Sequence, residues 1–87
     1  MEALRRYIEM EKLSREKLEE MFDKVGPFKE GLATVQKDGK YYHVREDGTP
    51  TYTKRFDWAG SFRGGLALVR KSGQSYYIRH NGTRVDP

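Results

Sequence analysis

The 87-residue chain contains no cysteine and no long run of apolar residues. Without cysteine, neither a disulfide nor a thiolate-ligated metal site can reinforce the core. No stretch approaches the roughly 18 apolar residues that a membrane-spanning helix needs. The first residues carry charges with no apolar segment behind them, which is not the pattern of a secretory signal. We therefore expect a cytoplasmic protein with no membrane partner.

Residue types that carry out catalysis or hold cofactors are also scarce. His43 and His80 are the two histidines, and neither has a neighbour at metal-ligand spacing. The glycine-rich segment 60–65 lacks the Gly-Lys-Ser/Thr ending of a phosphate-binding loop. No two carboxylates can be placed together in a pocket, as acid–base catalysis requires. We expect no catalytic residue, no cofactor and no metal, and hence no enzyme.

The dominant feature that is present is an internal repeat with a period of 34 residues. Residues 28–35, Phe-Lys-Glu-Gly-Leu-Ala-Thr-Val, return at 62–69 as Phe-Arg-Gly-Gly-Leu-Ala-Leu-Val. The similarity continues at the same 34-residue spacing in the pairs Gly39/Gly73, Tyr42/Tyr76, Val44/Ile78, Gly48/Gly82 and Thr49/Thr83. A fixed spacing held this long indicates a repeat architecture. We predict a single domain over 1–87, with a helical segment at 1–25, one repeat at 26–59 and a second at 60–87 whose last strand is incomplete.

The segment before the repeats is predicted to be helical. Apolar residues recur there at the spacing of one helical face: Leu18, Met21, Phe22 and Val25. Ser14 is a candidate N-cap. Two short helices, at roughly 2–12 and 15–24, and a single bent helix both fit the pattern. Gly26-Pro27 is expected to end the segment, because proline disfavours helix in the residue before it.

Each repeat is predicted to form strand, turn, strand, turn and strand. Asp38-Gly39 and Ser72-Gly73 have the composition of two-residue hairpin turns, and we assign the same turn to Asp47-Gly48 and Asn81-Gly82. The expected fold is therefore α+β, with the N-terminal helical segment followed by an antiparallel β-meander of five or six strands, built from two hairpin repeats.

Turn positions and side-chain alternation together predict which residues face the core. The first turn of each repeat places Val35 opposite Tyr42 and Val69 opposite Tyr76, and cross-strand partners share a face. The predicted core face comprises Ala33, Val35, Tyr42, Val44, Thr51 and Thr53 in the first repeat, and Ala67, Val69, Tyr76, Ile78 and Val85 in the second. Phe56, Trp58 and Ala59 in the connector are expected to fill the core between the repeats.

The opposite face is predicted to be apolar at one end, through Leu32, Leu66 and Leu68, and basic and aromatic elsewhere. Residues 26–87 carry a net charge of +5, against −1 for residues 1–25. Such a field attracts nucleic acid, anionic lipid or acidic protein. The candidate binding face comprises Tyr41, His43, Arg45, Tyr52, Arg70, Tyr77 and Arg79.

These motifs resemble the WG (KWG) repeat, which occurs in tandem in many bacterial proteins. That pattern runs Phe-x-x-Gly-Leu-Ala-x-Val, then Gly-Lys-Trp-Gly-Tyr-Ile, then an aromatic-Asp-x-Ala segment. Residues 28–35, 39–44 and 56–59 match it in order, as two degenerate units over 26–87. The Trp-Gly pair that names the family is replaced by Tyr41-Tyr42 and Ser75-Tyr76. The resemblance implies β-hairpin repeats that bind or scaffold, and it supplies no catalytic residues.

Two functions fit these observations. The first is a protein–protein interaction or assembly module, whose partner is another protein or a second copy of the chain. The alternative is a single-stranded nucleic-acid-binding domain, in which tyrosines of the candidate face stack on bases and its arginines contact phosphates. The N-terminal helices can equally be the element that covers this face.

Overall fold

A computed structural model of the chain describes residues 13–85. The elements in that range are α1 (Arg15–Met21), β1 (Lys24–Lys29), β2 (Leu32–Lys37), β3 (Lys40–Val44), β4 (Trp58–Ala59), β5 (Ala67–Lys71) and β6 (Gln74–Ile78). The strands form two antiparallel sheets in chain order: the first sheet is β1-β2-β3 and the second sheet is β4-β5-β6. The small, sheet-rich α+β fold is confirmed, whereas the single continuous meander is wrong.

The first hairpin of each repeat has the predicted register. Val35 lies opposite Tyr42 in the first sheet, and Val69 lies opposite Tyr76 in the second. The turn residues that join these strands all have positive φ: Asp38 (53°), Gly39 (79°), Ser72 (52°) and Gly73 (79°). Two consecutive left-handed residues match the right-handed twist of the flanking strands.

The helix that precedes the sheets is shorter than predicted. It starts where expected, because the Ser14 hydroxyl accepts a hydrogen bond from the Lys17 N–H at 3.2 Å. It ends at Met21, and the chain then enters β1, so the predicted helix over 15–24 overruns into a strand. Gly26-Pro27 lies inside β1, where the pairing register shifts as in a β-bulge. A bulge tolerates the missing proline N–H. The predicted helix at 2–12, and with it the choice of one bent helix, falls outside the described residues.

The second turn of each repeat is one residue longer than predicted. The Arg45 N–H donates to Thr49 O at 2.9 Å and Val44 bridges Pro50, which leaves a three-residue loop at 46–48. A one-residue shift reverses the side chains that follow. Tyr52 is therefore buried, and Thr53, which was predicted to face the core, is exposed. Among the described residues, the predicted last strand of each repeat is reduced to an isolated bridge, Val44–Pro50 and Ile78–Arg84.

The core lies between α1, the two sheets and the connector. Its buried apolar side chains are Leu18, Phe22, Leu32, Ala33, Val35, Tyr42, Val44, Tyr52, Phe56, Ala59, Phe62, Ala67, Val69 and Ile78. Most of the predicted core face is present in this set, while Tyr76 and Val85 are half-buried. Leu32, predicted on the opposite face, is buried. Trp58, predicted to fill the core, is exposed instead.

Hydrogen bonds and ring contacts also repeat every 34 residues. The carboxylate of Asp23 accepts from the Asp38 N–H at 2.9 Å, and that of Asp57 accepts from the Ser72 N–H at 2.9 Å. Phe22 and Tyr42 make an edge contact with ring centroids 6.1 Å apart, and Phe56 and Tyr76 do so at 6.3 Å. The structural repetition therefore extends back to Phe22, into residues that the sequence reasoning had assigned to the helix.

Candidate interaction surface

The two sheets are joined by a segment that adds to the edge of the first sheet. Tyr41, on the outer strand β3, donates its N–H to Phe56 O at 2.8 Å and accepts from the Phe56 N–H at 2.9 Å. The Phe56 ring is fully buried, with its centroid 5.7 Å from that of Tyr52. The junction therefore combines backbone pairing with burial of an aromatic side chain.

A buried histidine organises the centre of this junction. His43 Nε2 lies 2.7 Å from Gly60 O, and a carbonyl can only accept, so Nε2 carries the proton. Nδ1 then accepts from the Tyr52 hydroxyl at 2.6 Å. The ring also packs on Phe62, with centroids 4.4 Å apart. Burial lowers the pKa of His43, and a protonated His80 lowers it further, although the bond to Gly60 O opposes both. His43 is thus held as a neutral imidazole that bridges the two sheets.

Exposed polar contacts surround the buried part of the junction. Lys40 Nζ lies 2.6 Å from Asp57 Oδ1, and this contact lowers the pKa of the Asp57 carboxyl. Glu30 reaches from the first sheet to His80, with Oε1 and Nε2 2.9 Å apart, and this bond lowers the pKa of Glu30. Since both pairs are solvent-exposed, they set the register of the sheets more than they stabilise the fold.

The seven residues of the candidate binding face do not form one open surface. His43 and Tyr52 are buried and bonded to each other, so their predicted exposure is wrong, because the second sheet covers this side of the first. Tyr41 is half-buried at the junction. Arg45 is exposed, and its guanidinium donates to Pro50 O at 2.9 Å. Arg70, Tyr77 and Arg79 are exposed on the second sheet.

The second sheet presents an exposed surface that corresponds to the covered side of the first sheet. Trp58, Leu68 and Tyr77 are 43%, 38% and 51% exposed. Trp58 pairs with Arg70 and Leu68 with Tyr77, so the four side chains share a face. We call these four residues the open face. Subtracting 34 from Leu68 and Tyr77 gives Thr34 and His43, which the next unit covers.

The segment that carries the open face is net basic, although the carboxylates of Asp57 and Glu30 contact it at the Ser72 and Gly65 N–H groups. Residues 58–85 contain five basic residues, Arg63, Arg70, Lys71, Arg79 and Arg84, and no aspartate or glutamate. Arg84 places its guanidinium 4.4 Å from the centroid of the Tyr76 ring, and Arg79 donates to Arg84 O at 3.2 Å. Arg70 lies on the open face itself, beside the exposed aromatics.

Neither a metal centre nor a membrane-spanning helix is found in the part of the chain that the structure describes. Residues 13–85 hold no cluster of three or more histidine, aspartate or glutamate side chains that could bind an ion. The helix in this range is too short and too polar to cross a bilayer.

Comparison with known families accounts for this architecture. The family described as WG containing repeat matches residues 21–41 and 44–74. The chain belongs to the WG repeat family. The first matched segment covers β1, β2 and the start of β3, and the second covers the connector, β4, β5 and the first residue of β6. They begin at Met21, in agreement with a structural repeat that includes Phe22 and Asp23. No curated protein and no solved structure matched the chain.

The residues that replace the Trp-Gly pair of the WG signature make packing contacts in this structure. Tyr42 and Tyr76 stand in the Trp-Gly segment of the two WG units. Each ring packs edge-on against the phenylalanine that opens its own unit, Phe22 or Phe56. A guanidinium lies over each ring: Arg55 is 3.7 Å from the Tyr42 centroid, and Arg84 contacts Tyr76. Tyr42 and Tyr76 thus place an aromatic ring at the glycine position of the Trp-Gly pair, next to Tyr41 and Ser75 at its tryptophan position.

Proposed function

We propose that this WG repeat chain is a non-catalytic protein–protein interaction or assembly module. One observation carries the proposal: Leu68 and Tyr77 of the open face occupy the positions of Thr34 and His43, through which the first unit binds its neighbour. Exposed large apolar residues gathered on one face mark interaction sites more often than scattered ones do. The absence of cysteine suits a reducing compartment, and we place the module in the bacterial cytoplasm.

A second candidate function is the binding of single-stranded nucleic acid. It is supported by the five basic residues and no acidic ones in 58–85, together with Trp58 and Tyr77 exposed beside Arg70. Aromatic rings and arginines on an open sheet face are the usual elements of such a site. It is the weaker candidate because two of its predicted contact residues, His43 and Tyr52, are buried.

The two functions are separated by capture experiments on the whole chain. The immobilised protein is exposed to native host extract at two salt concentrations, with and without nuclease. A protein partner retained after nuclease treatment, in a complex that persists at the higher salt concentration, supports the interaction module. Loss of the complex on nuclease treatment supports nucleic-acid binding, whose affinity also decreases steeply with salt. Sedimentation of the purified protein at micromolar concentration tests the case in which the partner is a second copy.

A further inference from the structure

The junction between the two WG units shows how one unit recognises an extended segment. Phe56 adds to the edge of β3 through a backbone bridge to Tyr41, and the residues that follow it pair with β5 of their own unit. The Gly60 carbonyl then accepts from Thr34 Oγ1 at 3.1 Å and from His43. Phe62 completes the contact by packing on the His43 ring. Recognition thus uses strand addition at the edge and two phenylalanines six residues apart.

The second unit has the same edge. Arg84 bridges Ile78 there and the Val85 N–H donates to Tyr77 O at 2.9 Å, but within residues 13–85 no backbone pairs further along the edge at Ser75. β6 is the outer strand of the second sheet, and Ser75 occupies the position of Tyr41. No described residue pairs with the Ser75 backbone as Phe56 pairs with Tyr41. An unpaired strand edge is a template for another chain. Here it lies next to the open face.

From this correspondence we infer that the β6 edge and the open face together bind an extended acidic segment of a partner protein that carries spaced aromatic residues. The inference rests on the proposed interaction function. The segment adds as a strand along Ser75, and its aromatic side chains pack on Leu68, Tyr77 and Trp58. Peptide recognition by strand addition uses backbone bonds for affinity and alternate side chains for specificity.

The chemistry of the open face determines the composition of the segment. Thr34 and His43, which hydrogen-bond a carbonyl in the first unit, are replaced by Leu68 and Tyr77. The second site is therefore more apolar than the first. Lys40, which pairs with Asp57 in the first unit, corresponds to the uncharged Gln74 in the second unit. The positive charge of the second site is carried by Arg70, which lies in the open face. Acidic residues beside the aromatics complement the excess of basic over acidic residues in the second unit and raise the association rate.

A second copy of this chain fits the site less well. A symmetric pair would bring Arg70 of one copy towards the basic unit of the other, and like charges disfavour such contact. The segment at 22–28 has the matching phenylalanine spacing, but its carbonyls are already occupied. Arg15 donates to Val25 O at 2.6 Å and to Gly26 O at 3.3 Å. A head-to-tail contact would have to displace this arginine.

The test uses a synthetic acidic peptide and the whole 87-residue chain. The probe is acetyl-Glu-Phe-Asp-Trp-Ala-Gly-Ser-Phe-Glu-amide, which copies the spacing of residues 56–62 between added glutamates. Two control peptides replace both phenylalanines with alanine, or the three acidic residues with lysine. Affinity is measured by calorimetry, and the contact is mapped by amide chemical shifts. An oligothymidine of comparable length is titrated in parallel.

The variants are chosen so that folding is preserved. Tyr77→Ala and Leu68→Ser change exposed side chains of the open face, and Met21→Ala removes a similarly exposed apolar side chain at the opposite end of the stack. Melting curves confirm that each variant is folded. We expect Tyr77→Ala and Leu68→Ser to weaken peptide binding about tenfold or more, as central interface residues do, and Met21→Ala to leave it unchanged. The largest shifts should fall on β6 around Ser75.

Three results would overturn the inference. They are equal binding of the probe to Tyr77→Ala and wild type, shifts that map away from β6, and tighter binding of the oligothymidine than of the peptide at this face. With either of the first two results, the interaction module remains supported if the Tyr77→Ala chain still captures a protein from extract, and only the proposed peptide site is wrong. Failure of capture with the wild-type chain as well would remove the proposed function itself.

Discussion

Leu18 and Tyr52 lie 34 residues apart and cover equivalent glycines. A Cβ built on Gly48 would lie 3.5 Å from Leu18 Cδ2, and one built on Gly82 would lie 2.7 Å from Tyr52 Cβ. The two glycines are also 34 residues apart. The helix α1 therefore packs on the first unit at the place where residues 49–55 pack on the second unit. The helix therefore covers the turn of the first unit in the way that the segment at 49–55 covers the turn of the second.

Replacement of the covered glycine should be far more damaging than replacement of an exposed one. Gly82 and Gly73 have nearly the same φ, 83° and 79°, but a Cβ on Gly73 meets nothing within 4 Å. Gly73→Ala should cost roughly 1–2 kcal/mol, the strain of a left-handed residue. Gly82→Ala should cost about 1–3 kcal/mol more, because Tyr52 must move. Denaturant unfolding of both variants measures the difference, and equal losses would show that Tyr52 does not press on this turn.

The buried His43–Tyr52 pair should be coupled energetically. Tyr52→Phe leaves Nδ1 of His43 without its donor, whereas His43→Leu leaves the Tyr52 hydroxyl without its acceptor and also removes one of the two donors to Gly60 O, which keeps Thr34 Oγ1. An unsatisfied buried polar group costs about 1–3 kcal/mol, so His43→Leu should be the more destabilising change. A double-mutant cycle by urea denaturation measures the coupling. Additive losses would mean that the 2.6 Å contact contributes nothing specific.

The stability of the protein should fall as the pH drops below the ordinary pKa of histidine. Burial holds the pKa of His43 below 6.5 in the folded state. The unfolded chain therefore binds the proton first, and the free energy of unfolding decreases from about pH 6.5 downwards. Above that pH His43 is neutral in both states and contributes no slope. Melting temperatures in wild type and in His43→Gln measure this term, and the same slope in both would assign the effect to other groups.

Truncation of the two tyrosines that replace the WG signature should have unequal effects. Tyr42 is buried against Phe22 and beneath Arg55, whereas Tyr76 is half-buried. Tyr42→Ala should cost about 3–5 kcal/mol, as for other large aromatic deletions. Tyr76→Ala should cost less, because its ring already contacts water. Thermal unfolding of the pair checks this order, and near-wild-type melting of Tyr42→Ala would contradict the assigned core face.

The two hairpins were predictable because their turns determine their pairing. Asp38-Gly39 and Ser72-Gly73 accept positive φ at both positions, and a two-residue turn allows a single register. The second turns were not predictable in the same way, since Asp47-Gly48 fits a three-residue loop equally well. Asp47 accepts hydrogen bonds from both the N–H and the hydroxyl of Thr49. This local capping, which competes with the tighter turn, cannot be read from the alternation of side chains.

The candidate surface was predictable for one unit and not for the other. The alternation of side chains along the strands places His43 and Tyr77 on equivalent faces of the two sheets. It therefore predicts that both side chains are exposed. Only the packing of the units shows that the second sheet covers His43 and that no described residue covers Tyr77 to the same extent. The start of the structural repeat could have been found, because Phe22-Asp23 and Phe56-Asp57 keep the 34-residue spacing. The apolar residues around Phe22 also have helical spacing, so this segment was assigned to a helix and not to the repeat.

The junction at Gly60 also constrains how the length of such a chain can change. Four residues through which the second unit contacts the first recur 34 residues earlier: Phe56, Asp57, Gly60 and Phe62 correspond to Phe22, Asp23, Gly26 and Phe28. His80, which contacts Glu30, corresponds instead to Glu46. A tandem duplication of residues 22–55 would therefore insert a complete unit whose leading segment meets His43 and Lys40 with the same residue types. The helix α1 and the open face would remain at the two ends. Length can thus vary in steps of one unit, whereas an insertion of any other size in the strands would break the junction.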